Sequence, residues 1–386
     1  MRIPLRISIL FIILTIFLFS CAHNPPECDG FVSMVRETKD SYIANHQIYP
    51  VPQELQDRAQ QFLPELHVAP ESGAPISFDD YLQGAKLMRK KEVLAETVSA
   101  ESLSQLSPEE ECGTHLDNPE DVPSPEIAPY YVQVFEDQSP DLREENWIYL
   151  RYIPVFDWSG LAPKRSFLAR IGVGLTGGKS ERWHRLDVHT CAILGFNPEG
   201  EFKTLTLAQH NHQKTYIAGI DFPSEQAPQL VAAFQSNELY LDEGESEEVA
   251  HRVVPFFSGV DYLIDGKRKP ALWAEDVTVG RNAGGLPVAM TLEFPFPNHP
   301  LLDFAGLLAP PKRILGLYVG RDGPPGSNYF APPSFLSMPD FVAMGYWQEG
   351  DEELLNQLKP MLKGLRSDWE GMEDILRQRI REALAK

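Results

Sequence analysis

The chain is 386 residues long, 43% hydrophobic, and carries a formal charge of −21 at pH 7. That length suits one large domain or two ordinary ones, with apolar content enough for a real core. The charge excludes nucleic acid, because phosphate contacts need Lys and Arg, and it excludes docking on anionic headgroups through a broad basic patch. Carbohydrate, protein, zwitterionic lipid and divalent cations stay open.

Arg2 and Arg6 precede an apolar run of 13 residues from Ile7 to Phe19, interrupted only by Ser8 and Thr15. A basic start, a short apolar core and a small residue, Ser20, are the marks of an export signal. A bilayer span needs roughly 17–25 residues, so cleavage is favoured over a transmembrane anchor. Leu18-Phe19-Ser20-Cys21 resembles the bacterial lipoprotein signal, in which the cysteine becomes the lipidated first residue. The resemblance implies acylation of Cys21, with palmitate among the acyl chains, and attachment to the bacterial cell envelope. Ala22, rather than Asp, after the cysteine implies the outer membrane. Each buried acyl methylene contributes about 0.8 kcal/mol to such an anchor.

Three further cysteines remain, Cys28, Cys112 and Cys191. Export permits a disulfide. Cys28 and Cys112 sit in polar, loop-like surroundings and are open to pairing, whereas Cys191 lies in an apolar run and reads as a buried free thiol. Three pairings are formally available and the sequence does not choose among them.

After the signal (1–20), residues 21–106 read as a partly helical N-terminal region. Helices are expected over Gln53–Leu63 and Phe78–Val98, which are rich in Gln, Glu, Lys and Leu with little Gly or Pro. Residues 107–129 hold five prolines, seven acidic residues and no Lys or Arg, so this stretch reads as a linker that buries no core.

From 130 to 347 the texture is that of strands. Runs rich in Val, Ile, Tyr, Phe and Thr occur at Tyr130–Phe135, Trp147–Val155, Phe167–Ile171, Leu186–Phe196, Phe202–Ala208, Leu230–Gln235, Val260–Ile264, Val288–Phe294 and Ile314–Val319. Asp265-Gly266 is a two-residue hairpin signal. Short strands without intervening helices predict a mainly β fold, an antiparallel β-sandwich with long loops. Over 348–386, Leu354, Leu358, Met361, Leu365, Trp369, Met372, Leu376 and Ile380 recur at three and four residues. They predict an amphipathic C-terminal helix, kinked at Pro360 and Gly364, that packs on the sandwich or on the N-terminal helices.

Gly172, Gly174 and Gly177 match the dinucleotide pattern, and Gly178-Lys179-Ser180 imitates a phosphate loop. The phosphate loop needs Gly where Val173 stands, and the dinucleotide pattern needs a following helix where Trp183–Phe196 reads as strand. A glycine turn between strands is the expectation.

The densest functional segment is Trp183-His184-Arg185-Leu186-Asp187-Val188-His189. In a regular strand Leu186, Val188, Thr190 and Ala192 would face the core, with Arg185, Asp187, His189 and Cys191 opposite. His184 would join them only at a bulge. A second cluster, Gln209-His210-Asn211-His212, ends the strand Phe202–Ala208, and these two segments hold four of the ten histidines. Imidazole is the commonest transition-metal ligand and a common general base. A histidine at a strand end is more often a surface or backbone-bonded residue.

The order of these motifs resembles the necrosis-inducing cytolysins and the related vacuolar-protein-sorting-associated β-sandwich proteins. His184-Arg185-Leu186-Asp187-Val188-His189 follows the register of the cytolysins' Gly-His-Arg-His-Asp-Trp-Glu. Ala208-Gln209-His210-Asn211 is similar to a strand end of both families. Trp147–Pro154 resembles an aromatic strand of the cytolysins, and Gln229–Tyr240 a strand that ends near a His, where this chain has Asn237. The resemblance covers roughly 147–240. It implies a sandwich and a divalent-cation site at His184, Asp187, His189 and His210. Leu186, Val188 and His189 depart from the heptapeptide, and a His in place of an acidic ligand suits a softer metal than calcium or magnesium.

Three functions follow. The first is a lipid-anchored binding protein whose cation-assisted pocket takes a glycan, a lipid headgroup or a protein. The second is a structural or assembly lipoprotein of the envelope without an active site. A metal-dependent hydrolase ranks below both, because HExxH, Gly-x-Ser-x-Gly and paired-carboxylate motifs are absent from the sequence. No catalytic residue is assigned.

Overall fold

The computed structural model describes residues 47–69, 72–111, 113–138, 146–160, 182, 184–188, 190–209, 212–242, 248–257, 270–278, 285–294, 299–304, 306–314, 317–321 and 369–385. Within them the chain is mainly strand, arranged in several sheets.

The largest sheet has six strands in the order β11-β10-β9-β6-β5-β17. These are β5 (Ala128–Gln138), β6 (Asn146–Pro154), β9 (Cys191–Phe196), β10 (Phe202–Gln209), β11 (His212–Ile217) and β17 (Met290–Glu293). Tyr, Val, Ile and Trp fill β5 and β6, where their branched or flat side chains suit a pleated surface. Both faces of this sheet are covered, so alternate residues enter two different cores rather than core and solvent. Tyr130, Val132, Leu150, Tyr152, Ala192 and Leu194 enter one core, while Tyr131, Phe135, Tyr149, Ile153, Cys191 and Ile193 enter the other.

A second sheet contributes to the first core. It runs β13-β12-β1-β16, from β1 (Glu65–Val68), β12 (Gln229–Ala232), β13 (Leu239–Leu241) and β16 (Leu286–Val288). Leu66, Leu230, Leu239 and Leu241 meet the six-stranded sheet's side chains there. Helix α1 (Gln53–Gln61) adds Ala59, and Phe62 just beyond it packs edge-on against Phe196 and Phe202 at 5.2 and 5.3 Å. The other core is filled largely by helices and loops. It takes Phe78, Tyr81 and Leu82 from α2 (Phe78–Gln83), Leu103 from α3 (Ala100–Ser104) and Leu301 from α5 (Pro300–Asp303). Ile380 and Ala383 come from α6 (Trp369–Leu384); Ile380 is the one member of the expected apolar stripe whose side chain falls among the described residues. Residues 351–368, with Pro360 and Gly364, lie outside the described residues.

Where the expectation was an antiparallel arrangement, two pairings are parallel, β1 with β12 and β17 with β5. The run 288–294 is divided between two sheets: Ala289 alone separates β16, antiparallel to β1, from β17, parallel to β5. Two smaller antiparallel pairs are β14 (Glu248–Phe257) with β15 (Pro270–Thr278) and β18 (Pro311–Ile314) with β19 (Leu317–Arg321). Asp265-Gly266, between β14 and β15, lies outside the described residues, as do the runs 167–171 and 260–264 and the glycine segment 172–178.

The helix expected over Phe78–Val98 stops at Gln83. Ser77 caps its start by accepting the Asp80 N–H at 3.4 Å, and the Asn118 side chain caps its end by donating to the Tyr81 carbonyl at 2.8 Å. A Cβ at Gly84 would stand 2.8 Å from that amide and would have to push it aside. Beyond it, β2 (Lys86–Arg89) pairs with β3 (Glu92–Ala95) and with β4 (Thr114–Asp117), placing buried Leu87 opposite buried Leu116. Burying two leucines contributes about 3–6 kcal/mol. Helix propensity for Lys, Met and Glu differs by only tenths of a kcal/mol per residue, so tertiary packing wins.

The stretch 107–129, expected to bury nothing, carries α4 (Pro108–Glu111) and β4, and its Thr114, His115 and Leu116 are buried. One well-placed leucine and sheet pairing suffice when the neighbours supply the remaining apolar surface.

Candidate functional site

The site is built on a short ladder. β7 (Phe156–Ser159) pairs antiparallel with β8 (His184–Asp187), setting Phe156 opposite Asp187, Trp158 opposite Arg185 and Ser159 opposite His184. The single strand expected over Leu186–Phe196 is therefore two strands. Leu186 adopts φ +55°, which breaks the alternation, and β8 leaves the six-stranded sheet. The expected faces change accordingly. Leu186 and Val188 share a core with Cys191 and Ile193, Ala192 turns to the opposite core, and Arg185 and Asp187 are buried as well.

Asp187 is fully buried. Its Oδ2 accepts a hydrogen bond from Asn237 Nδ2 at 3.2 Å, and the same nitrogen donates to the Trp158 carbonyl at 2.7 Å. Both acceptors demand an N–H, so the amide orientation is fixed by chemistry. Asn237 sits at φ +61°, a conformation that asparagine tolerates better than most residues. Beside it, Ser236 and Tyr240 donate to the buried Glu238 carboxylate, each at 3.3 Å, and Ser159 Oγ donates to the Ser236 carbonyl at 3.3 Å.

Next to Asp187 lies a charged and aromatic cluster. The Arg185 side chain is 4% exposed and pairs with Asp157 at 2.8 Å. It also donates to the Glu120 carbonyl, and its guanidinium stands 4.6 Å from the Trp158 ring centre and 5.6 Å from that of Tyr81. Burial pushes the Asp157 carboxyl up from its ordinary value, and Arg185 and the Val122 N–H pull it back. Burial likewise raises the Tyr81 phenol, whose hydroxyl donates to the Leu308 carbonyl at 2.7 Å. Towards solvent, Asp121 receives both Arg182 Nη atoms, at 2.9 and 2.8 Å, and Trp158 Nε1 at 3.1 Å. Those bonds, Arg182's first, hold the Asp121 carboxyl below its ordinary value. Arg182 stands 5.0 Å from the Trp158 ring centre.

Of the residues assigned to a cation, Asp187 is placed as above, and His184 is placed by its backbone opposite Ser159. The His184 side chain, His189 and His210 lie outside the described residues, as do Cys21, Cys28 and Cys112. Among the described residues, no group of three or more His, Cys, Asp or Glu side chains is placed to hold a metal ion. The described donors fit a cation poorly at Asp187 Oδ2, because Asn237 presents its N–H, not its oxygen, to that atom. Cys191 is a buried free thiol, as expected, and accepts from Arg151 Nε at 3.3 Å, while Arg151 Nη1 donates to Gln133 Oε1 at 3.0 Å.

The sequence pattern points to Asp187 and the segment around it. It does not reveal Asp121, Asp157, Trp158 or Arg182, whose partners lie up to 79 residues away. The adjacent Asp157-Trp158 pair in an apolar run was the available signal. No family model, curated protein or solved structure matches this chain.

Proposed function

We propose that this chain is an exported lipoprotein of the bacterial envelope, anchored in the outer membrane through Cys21. Its β-sandwich serves as a binding and assembly body with no active site of its own. The anchor reading is supported by the basic, short apolar run that ends at Ser20-Cys21. The sandwich reading is supported by the single core to which the six-stranded and four-stranded sheets both contribute. The other core joins Phe78, Leu116, Tyr149 and Ile380, which supports one continuous body rather than a sandwich held off by a spacer.

The observation that carries the assembly reading is the Asn237 amide. It commits a donor to Asp187 and to the Trp158 carbonyl at once, so the buried carboxylate serves to hold the chain 158–237 together. The decisive experiment compares the native chain with Cys21→Ala and with a chain lacking residues 351–386. Native protein should incorporate a palmitate analogue and fractionate with the outer membrane, and Cys21→Ala should do neither. Co-purifying partners should be lost with residues 351–386. Unchanged labelling in Cys21→Ala, or identical partners after the deletion, would count against the proposal.

A cation-assisted binding site is a second reading, supported by the resemblance that His184, Asp187, His189 and His210 carry in the sequence. It predicts that zinc, manganese or calcium raises the thermal midpoint of the native protein and not of an Asp187→Ala/His210→Ala variant. An unchanged native midpoint with all three ions would sink it.

A further inference from the structure

The cluster around Trp158 has the composition of an oxyanion receptor already filled by the protein's own side chain. Arg182 Nη1 and Nη2, Trp158 Nε1 and, at 3.5 Å, Arg185 Nη1 all converge on the Asp121 carboxylate. Planar guanidinium forks match the two oxygens of a carboxylate or a phosphate. Arg185 is nearly buried and keeps its Nε–H without an acceptor among the described residues. The site therefore holds more donor capacity than Asp121 and Asp157 consume. With Asp121 in place the four charged side chains sum to zero; with Asp121 withdrawn they sum to +1, beside a desolvated guanidinium and an indole N–H.

Asp121 is also suited to leave. Its side chain is 54% exposed, and residues 118–127 contain no strand or helix. The neighbouring backbone is held independently. Val122 N–H donates to Asp157 Oδ2 at 3.1 Å, and Ser124 Oγ donates to the Ala74 carbonyl at 2.8 Å. Rotation of one exposed side chain therefore opens the receptor while the segment stays in place, and such rotations take picoseconds to nanoseconds.

We infer that Arg182, Arg185 and Trp158 form a binding site for an oxyanion, a carboxylate or a phosphate group, with Asp121 as its built-in competitor. The site stands independently of the lipid anchor and of any cation at Asp187. An intramolecular competitor acts at high effective concentration, so native affinity should be weak and should rise when the competitor is removed.

The test titrates inorganic phosphate and citrate, calorimetrically and at low salt, into the detergent-solubilised full chain, into Asp121→Ala and into Asp121→Ala/Arg182→Gln. Asp121→Ala should bind at least one of the two anions tenfold or more tighter than the native chain, and Arg182→Gln should remove the gain. The anion that gains more identifies the ligand as phosphate-bearing or carboxylate-bearing. Equal affinity in native and Asp121→Ala protein, or a gain that survives Arg182→Gln, overturns the inference. Circular dichroism confirms folding of each variant, and Asp121→Asn takes the place of Asp121→Ala should the latter fail to fold.

Discussion

Replacing Asn237 by alanine removes two hydrogen bonds and introduces an unfavourable backbone conformation in one step. The bond to the Asp187 carboxylate, at 3.2 Å, belongs to the class worth about 1.5–3 kcal/mol, and the bond to the Trp158 carbonyl, at 2.7 Å, to the class worth about 1 kcal/mol. Alanine at φ +61° adds about 1 kcal/mol, since its Cβ crowds the following carbonyl there. Asn237→Ala should therefore lower unfolding stability by about 4 kcal/mol, a large part of the ~5–15 kcal/mol that holds a typical domain. Asn237→Gly loses the same bonds but accepts the backbone conformation, and should cost about 3 kcal/mol. Urea denaturation followed by tryptophan fluorescence measures both. If Asn237→Ala falls within about 1 kcal/mol of native, the role of Asn237 as a tie between β7 and β8 is wrong. A glycine variant no more stable than the alanine variant would refute the backbone part.

Other perturbations probe other parts of the molecule. Arg185→Ala strands the half-buried Asp157 carboxylate and should cost about 3–5 kcal/mol, with part of the loss recovered in Arg185→Met/Asp157→Leu on denaturant titration. His299 is buried among Phe78 and Tyr131, and burial pushes its imidazole down to about 4. The folded state thus favours neutral His299, whose contribution is present above the unfolded value near 6.5 and fades as pH falls towards 4. Between those limits the native protein should lose up to about 3 kcal/mol more than His299→Gln, at 1.36 kcal/mol per pH unit; parallel stability–pH curves would exclude it. At Gly195 an added Cβ would meet Thr204 Oγ1 and lie 3.0 Å from Tyr149 Cε1. Gly195→Ala should cost about 1–3 kcal/mol by overpacking, read as a lowered thermal midpoint.

The strands β5, β6, β10 and β12 are legible in the sequence because branched and aromatic runs have few other uses in a chain of this polarity. The hairpin β2–β3 is not, since its Lys, Met and Glu residues suit a helix and only the distant Leu116 decides against it. The break at Leu186 is hidden for a related reason: a positive φ is ordinarily announced by Gly or Asn, and here a leucine is held there with its side chain fully buried. At the site, Asp187 stands out because polar residues crowd around it in sequence. Asp121 does not, because an acidic, proline-rich stretch looks solvated and its two arginine partners lie more than sixty residues downstream. Periodicity reports local geometry, whereas these contacts are chosen by the tertiary fold.

The segment Leu286–Glu293 borders two sheets with a single residue, Ala289, between its two halves, and the Ala289 carbonyl accepts the Ala128 N–H at 2.9 Å. The two sheet margins therefore share one latch. Peeling it away exposes the edge of β1 and the edge of β5 together, so their amides should exchange with solvent as one cooperative unit. A strand from another chain seeking either margin must first displace the whole latch, which guards those two margins against edge-to-edge association.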